Sequence, residues 1–386
     1  HPKKIDLSLN RTFNLLKKLG NPQDKLKNIV TCVGTNGKFS TIKSLQSILN
    51  QAGYKCNIFL SPHLQGYTER YVYDDKEISE DSLTYLLEEI EKINGHDNVT
   101  MFEALSCAFL KYCENYTENI TIVEAGLFHQ FDATNVFKKN LCSIITSIHN
   151  DHTTWLKNKT IEGIIHEKTI KLLNSNIFVS KQENKQILTN IQNALKNNQS
   201  KKYFYGEDFN YVNAENNFIQ YEDTKGSLIL PQPNILGEHQ LSNISTAIMA
   251  ARTLFNAKDK HIKNAVTNIN LKGRLQEIKS GKLKKLAKNN RLFCDGGHNK
   301  NASNSLAKWI ETLNQDVHLI LGMMKDKDHL DFVNSFKNKI KSLTLIDIPN
   351  QDNAIKKEEF KFKIQNKINN IQISTSIEDS IKLNSN

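Results

Sequence analysis

Val33-Gly34-Thr35-Asn36-Gly37-Lys38-Phe39-Ser40-Thr41 is the stretch that decides the fold. An apolar run, IVTCV (29–33), precedes it, and a segment of helical period follows from about Ser40 to Ala52, where Gly53 stops it. A glycine-bearing turn between strand and helix is the setting of a phosphate-binding loop. Glycines let backbone N–H groups turn inward around phosphate oxygens. The helix N-terminus adds a partial positive charge. Lys38 can reach the outer phosphates, and a hydroxyl such as that of Ser40 can approach a divalent ion. The strict pattern G-x-x-x-x-G-K-[ST] is not met, because Cys32 stands at its first glycine and Phe39 separates Lys38 from Ser40. Alone, the segment leaves a plain surface turn before a helix as the alternative.

Outward from this loop, strands and helices alternate. KCNIFL (55–60), NITIVEAG (119–126) and LCSIITSI (141–148) read as buried strands, with helices over 103–116, 159–173 and 183–198. That alternation predicts an α/β fold with a mainly parallel sheet. Residues 201–230 predict a small antiparallel β appendage, closed by a helix near 240–255. After Gly273 the pattern restarts, with RLFCDGG (291–297), VHLILG (317–322) and SLTLID (342–347) as strands and a helix over 299–313. The expected division is a larger domain over 1–273 and a smaller α/β domain over 274–386.

Composition narrows the function classes. Hydrophobic residues make up 38% and charged residues 24% of the 386, which suits a globular chain with a real core. No apolar run is long enough for a membrane helix, and HPKKIDLSLN lacks the apolar stretch of a signal peptide. The missing initiator Met reads as a trimmed start. Cys32, Cys56, Cys107, Cys113, Cys142 and Cys294 show no metal-ligand spacing and read as reduced cysteines of a cytoplasmic protein. The net charge of +10 is spread along the chain without an Arg/Lys block interleaved with aromatics, so nucleic acid is not the expected partner. Anionic small substrates fit the charge.

Open α/β sheets bind ligands beyond the C-terminal ends of their strands. Ser61-Pro62-His63, Glu124 and Asp151-His152 all fall at such ends. Hydroxyl, carboxylate and imidazole together suit Mg²⁺ with nucleotide phosphates as further ligands. Each taken singly reads equally as a cap or a solvated loop residue. Asp295-Gly296-Gly297-His298-Asn299 follows the first clear strand of the smaller domain. Asp295 there suits a ribose hydroxyl, while a tight turn with Asn299 capping the next helix is the other reading.

In order along the chain stand IDLSL, GTNGK, SPHL, ER, TMFE, VEAGL, DATN, DH, EK, HQLSN, GRLQ, DGGHN and DKD. This series resembles the folylpolyglutamate synthase and dihydrofolate synthase family, within the broader Mur ligase group. The resemblance implies a P-loop ATPase domain followed by a smaller Rossmann-like domain, with the active site between them. It implies that Thr35, Asn36, Gly37, Lys38 and Ser40 hold ATP, joined by Asn243, Arg274 and Asp295, with His298 in the same motif. Ser61, Glu124 and His152 match metal-binding positions, for two Mg²⁺ ions with a monovalent cation allowed beside them. Lys168 matches a lysine that is carbamylated in this family. Ile5, Asp6 and Leu7, then Thr100, Phe102 and Glu103, then Phe131, Asp132 and Ala133 match dihydropteroate-binding segments of bifunctional members. The implied chemistry is a cytoplasmic, monomeric ATP-dependent ligase joining L-glutamate to dihydropteroate and to reduced folates through an acyl phosphate. The catalytic groups would be Lys38, Lys168 and His298.

Several positions depart from the pattern. Phe39 replaces a usual Gly. GLGGR-LDATN becomes GLFHQ-FDATN, with Phe128, His129 and Gln130 in place of two glycines and an arginine. The chain is also expected to stop before the last strand of the family. These departures keep three rivals in view: a folylpolyglutamate synthase alone, a Mur-type amide ligase with another acid acceptor, and a nucleotide-binding protein without ligase activity.

Overall fold

The computed structural model describes residues 8–151, 155, 156, 158–213 and 218–385. They fall into two compact units. One takes in residues up to Asn234 together with Gln240–Asn270, and the other takes in Ile235–His239 and residues from Leu271 on.

The first unit is built on strands β1 (Asn28–Val33), β2 (Cys56–Phe59), β3 (Tyr71–Tyr73), β4 (Lys76–Glu77), β5 (Ile120–Glu124), β6 (Cys142–Ile145), β7 (Asn176–Val179) and β8 (Lys201–Phe204). They form one sheet in the order β4-β3-β2-β5-β1-β6-β7-β8. From β2 to β8 every pairing is parallel, and β3 and β4 continue the sheet as an antiparallel edge. β2, β5 and β6 are buried at every residue, and β1 at all but its first, as both-face coverage of a parallel sheet requires. This explains why IVTCV and the ITIV before Glu124 are mainly apolar and do not alternate.

Two apolar clusters cover the sheet. One joins Phe59, Tyr71, Tyr73 and Val123 to the helices Asn10–Lys18, Glu80–Asn94 and Met101–Cys113. The other joins Val33, Ile145 and Val179 to the helices Ile161–Thr169 and Lys185–Ala194. The helix Met101–Cys113 starts in a capping box. Glu103 N–H donates to Thr100 Oγ1 at 3.3 Å, and Thr100 N–H donates to Glu103 Oε2 at 2.7 Å.

The β appendage is real but smaller than expected. β9 (Phe209–Asn213), β10 (Phe218–Asp223) and β11 (Gly226–Pro231) make a three-stranded antiparallel sheet. Lys201–Phe204 does not belong to it. That strand is β8, which pairs in parallel with β7 at the edge of the main sheet.

The second unit holds a three-stranded parallel sheet, β14 (His318–Leu321), β15 (Ser342–Leu345) and β16 (Ile371–Ile373). Leu321, Leu343, Leu345, Phe336, Phe360 and Ile364 form its core. RLFCDGG is not a strand of that sheet. Only Phe293–Cys294 is extended there (β13), paired antiparallel with Gln276–Glu277 (β12). Among the described residues no helix is long and apolar enough to cross a membrane.

Candidate functional site

β1 is the central strand of the larger sheet. β5 lies on one side of it and β6 on the other. Chain order reverses at this point, which places a crevice beyond the C-terminal ends of these strands. Gly34 leaves β1 there. Glu124 ends β5 directly beside Cys32, and Ser61 follows the end of β2, β5's other neighbour. Three residues distant in sequence meet because the parallel register aligns their strand ends.

The loop after β1 runs through Gly34 (φ 146°) and Gly37 (φ 90°) into the helix Lys38–Gln51. Both positions require glycine. A Cβ at Gly34 would lie 1.9 Å from Thr146 Oγ1, and one at Gly37 would lie 2.5 Å from Asn243 Oδ1. Thr35 and Asn36 anchor the loop, their N–H groups donating to Ser147 O at 2.9 and 3.2 Å. Thr35 Oγ1 donates to His149 O at 3.3 Å.

Lys38 Nζ donates to Gly34 O at 3.1 Å and Thr35 O at 3.3 Å, and it stands 3.9 Å from Glu124 Oε1. Ser61 N–H donates to Glu124 Oε2 at 3.1 Å. Ser40 is buried on the first turn of the helix, and Phe39 beside it is half-buried. Asn243, on the helix Glu238–Leu254, is buried and accepts from Thr41 Oγ1 at 3.4 Å. Lys38, Glu124, Ser61, Thr35, Gly37 and Asn243 therefore belong to one corner of the first unit. His152 lies outside the described residues, as do Ile5, Asp6 and Leu7. Among the described residues no three His, Cys, Asp or Glu side chains cluster as a metal site.

Lys168 is drawn into the same corner. It sits on the helix Ile161–Thr169, is buried, and donates to Gly34 O at 2.8 Å and Leu127 O at 3.0 Å. Gly34, Thr35, Lys38, Leu127, Asp151 and Lys168 line one small cavity. Burial, reinforced by the charge of Lys38, pushes the Lys168 amine down to about 7. The folded value lies below the ordinary 10.5, so the native state loses this proton first as pH rises. Stability then increases with pH from about 7 upward, at most by ~1.4 kcal/mol per pH unit. Urea unfolding between pH 7 and 9 is expected to show that increase in the native chain and its absence in Lys168→Met. Parallel curves for the two would refute the buried-ammonium argument.

A second cavity of about 460 Å³ in the first unit is walled by Ser8, Leu9, Gln130, Phe131, Lys171 and Leu173 among others, and of the predicted pterin-binding residues Phe131 lines it while Thr100, Phe102, Glu103, Asp132 and Ala133 do not. Its volume is that of a small-molecule site. Phe131 is exposed at it, and Ala133 is buried. Phe102 packs 5.8 Å from the Phe59 ring, and its edge fills the space a Cβ on Gly126 would need. Glu103 accepts from Arg11 Nε and Nη2 at 3.1 and 2.9 Å.

Asp132 turns inward. It is buried, accepts from Gly126 N–H (2.9 Å), Thr134 N–H (3.0 Å) and Thr134 Oγ1 (2.6 Å), and so braces its own loop. Burial raises its pKa against the pull of those bonds. His129 is buried beside it in sequence and held neutral by that burial, its pKa pushed down to about 4.

In the second unit Asp295 accepts from Leu275 N–H at 2.8 Å and Gly297 N–H at 2.7 Å. Arg274 donates to Gly273 O at 2.9 Å, and His298 Nδ1 lies 3.0 Å from Gly296 O. Asn299 Oδ1 accepts from Ala302 N–H at 3.0 Å and caps the helix Lys300–Glu311. The turn-and-cap reading of this motif is thus met, and Asp295 remains exposed at the turn.

No protein-family model matches the chain. Two bacterial proteins named dihydrofolate synthase/folylpolyglutamate synthase are similar along most of their length. The one from Escherichia coli is 29% identical over 341 residues, covering 85% of this chain and 74% of its own. The one from Buchnera aphidicola of Acyrthosiphon pisum is 28% identical over 395 residues, covering 97% and 89%. Among solved structures, E. coli FolC in complex with ADP superposes with a TM-score of 0.86 at 26% identity, covering 99% of this chain and 88% of that one. The Yersinia pestis bifunctional folylpolyglutamate synthase/dihydrofolate synthase, complexed with AMPPNP and a Mn ion, shares the fold with a TM-score of 0.86 at 23% identity, covering 100% and 88%.

Proposed function

We infer that this chain, a homologue of the dihydrofolate synthase/folylpolyglutamate synthases, is an ATP-dependent ligase that joins L-glutamate to dihydropteroate and to tetrahydrofolate (poly)glutamates. The observation that carries the reading is the corner where Lys38, Glu124 and Ser61 meet behind a glycine loop at a helix N-terminus. Anionic phosphates are favoured at such a terminus, and Lys38 is placed to reach the outermost of them. Thr35, Asn36, Gly37, Ser40 and Asn243 complete the proposed nucleotide contacts in the first unit. Arg274, Asp295 and His298 are the proposed contributions of the second.

The donors present suit a hard divalent cation. Glu124 and Ser61 offer oxygen ligands on neighbouring strand ends, and His152 is the proposed third. When bound, Mg²⁺ would offset the negative charge of the phosphoryl oxygens. Two Mg²⁺ ions, with a monovalent cation beside them, belong to the proposal. Lys168, whose amine is pushed to about 7, is half neutral near neutral pH, the form in which a lysine adds carbon dioxide to become a carbamate.

An oxygen of the acceptor's carboxylate attacks the γ-phosphorus, ADP leaves with the bridging oxygen, and an acyl phosphate results. Lys38 steadies the charge gathering on the transferred group. The amine of glutamate then attacks the acyl carbon, phosphate departs, and the ammonium proton passes to solvent. The cavity at Phe131 is the proposed seat of the pterin, where flat rings stack on aromatic side chains. A monomer in the cytoplasm is proposed, and six free cysteines fit that compartment.

ADP release from purified protein with Mg²⁺-ATP and glutamate, supplied in parallel with dihydropteroate or tetrahydrofolate, tests the reading. Turnover with both acceptors is expected. Tetrahydrofolate alone would reduce the activity to polyglutamylation, and no turnover with either would overturn the ligase assignment.

A further inference from the structure

Arg70 ends the single 3-10 turn Tyr67–Arg70, which leads from Ser61-Pro62-His63 into β3. Its guanidinium is held from several directions. Nε donates to His63 Nδ1 at 2.8 Å, Nη1 reaches Ser61 Oγ at 3.4 Å, and Cζ lies 5.7 Å from the centre of the Tyr67 ring. The His63 and Tyr67 rings are themselves 4.5 Å apart. His63 can accept from Arg70 only as the neutral tautomer that carries its proton on Nε2.

The Glu124 carboxylate acts on Arg70 through its charge, and the hydrogen bonds of the guanidinium go to His63 and Ser61. The neighbouring Glu69 is turned to the preceding loop, accepting from Leu64 N–H at 2.9 Å and Gln65 N–H at 3.1 Å. The guanidinium is half-buried, fixed and charge-rich, at a site where two anions would have to approach one another.

Sheet order gives its place. β2 leads to Ser61 and Arg70, β5 ends at Glu124, and β1 leads to Lys38, and these strands lie in the order β2-β5-β1. Glu124 therefore stands between two cations, Lys38 on the loop after β1 and Arg70 on the connection after β2. The phosphate loop accounts for Lys38 and leaves Arg70 without a role. A planar fork of N–H donors matches a carboxylate or a phosphoryl group.

We propose that Arg70 is a catalytic residue on the acceptor side, binding the acceptor's carboxylate and carrying the charge of the phosphoryl group as the acyl phosphate forms. The assignment rests on the ligase reading above. The bond from the acceptor oxygen to the γ-phosphorus forms while the bond from that phosphorus to the bridging oxygen breaks, and ADP takes the electron pair. Arg70 donates hydrogen bonds throughout and transfers no proton. His63 and Tyr67 hold the guanidinium in place.

The test compares Arg70→Met, Arg70→Lys and Arg70→Gly with the wild type. Three readouts are needed: steady-state turnover, calorimetric binding of dihydropteroate to the Mg²⁺-AMPPNP complex, and calorimetric binding of AMPPNP itself. Arg70→Met is expected to lower kcat by about 10²–10³-fold, the loss typical of one preorganised donor, and to weaken dihydropteroate at least about tenfold. AMPPNP affinity stays within about twofold, because the phosphate loop is untouched. Added guanidinium restores part of the Arg70→Gly turnover, which a merely structural role would not allow, and Arg70→Lys falls between Met and wild type. An Arg70→Met kcat within about threefold of wild type, against the drop expected of a lost donor, overturns the assignment and leaves the ligase reading standing. Equal losses of AMPPNP and dihydropteroate binding, without guanidinium rescue, overturn it in favour of a scaffold role. Wild-type protein that turns over neither acceptor overturns the reading and this assignment together.

Discussion

Lys38→Ala lowers turnover by about 10²–10³-fold, equivalent to roughly 2.7–4 kcal/mol of transition-state stabilisation. Lys38 is the first residue of its helix, and its ammonium already points along the loop, held by Gly34 O and Thr35 O at 3.1 and 3.3 Å. A terminal phosphate reaching this corner meets a charge that needs little rearrangement, which is where preorganised donors act most strongly. The substitution spares the fold, since alanine is the best helix former and the loop's own anchors come from Thr35 and Asn36. The loss therefore falls on kcat with the melting midpoint nearly unchanged. Lys38→Arg keeps the charge on a longer, forked head and recovers only part of the rate. The check is steady-state ADP release at saturating Mg²⁺-ATP and acceptor, and near-wild-type activity in Lys38→Ala would sink the phosphate-loop assignment.

Gly34→Ala acts on the fold and the site together. The new methyl would lie 1.9 Å from Thr146 Oγ1 and 3.1 Å from Thr146 Cβ. Thr146 cannot retreat, because it is fully buried and its N–H and Oγ1 both donate to Val33 O, at 2.9 and 3.2 Å. The backbone at φ 146° adds strain for any residue with a Cβ. Overpacking of about 1–3 kcal/mol and backbone strain of similar size sum to roughly 2–6 kcal/mol. The expected result is a strongly lowered urea midpoint and loss of AMPPNP binding. Gly53→Ala is the control, with a positive φ of 89° but nothing within 4 Å of its Cβ. Its cost is backbone strain alone, about 1 kcal/mol. Equal midpoints for the two variants would show that the Thr146 contact relaxes freely.

Much of the architecture is written locally. IVTCV and the ITIV that precedes Glu124 are uncharged and do not alternate because a parallel strand is covered on both faces, and the glycines after Val33 mark the turn that only they can make. Lys201–Phe204 reads locally as one arm of a hairpin because it is an edge strand with two leading lysines. Its parallel partner, Asn176–Val179, has only three apolar residues between polar neighbours, so nothing local points to the main sheet. RLFCDGG looked like a Rossmann strand because apolar residues precede a glycine turn, yet only two of its residues pair.

The site was less legible than the fold. Ser61 and Glu124 are 63 residues apart, and their hydrogen bond exists only because β2 and β5 share a register. Arg70 stands in the ER of the motif series, but no role attached to it there, since its partners are a histidine, a hydroxyl and an aromatic ring. Asp132 carried a local clue in D-A-T, where an Asp bonds Thr134 two residues on and so organises a turn.

The central place of β1 also bears on how the chain is made. Residues 28–33 leave the ribosome well before their sheet neighbours, residues 120–124 and 142–145. At about 5–20 residues per second, β1 waits on the order of 10 s before its second neighbour exists. Through that interval an apolar strand and the glycine loop behind it have no parallel partner, and this is the stretch a nascent-chain chaperone would have to shield. Nucleotide cannot assist during that interval, because Glu124 and Thr146, which complete the loop's surroundings, are synthesised roughly 90 and 110 residues after it.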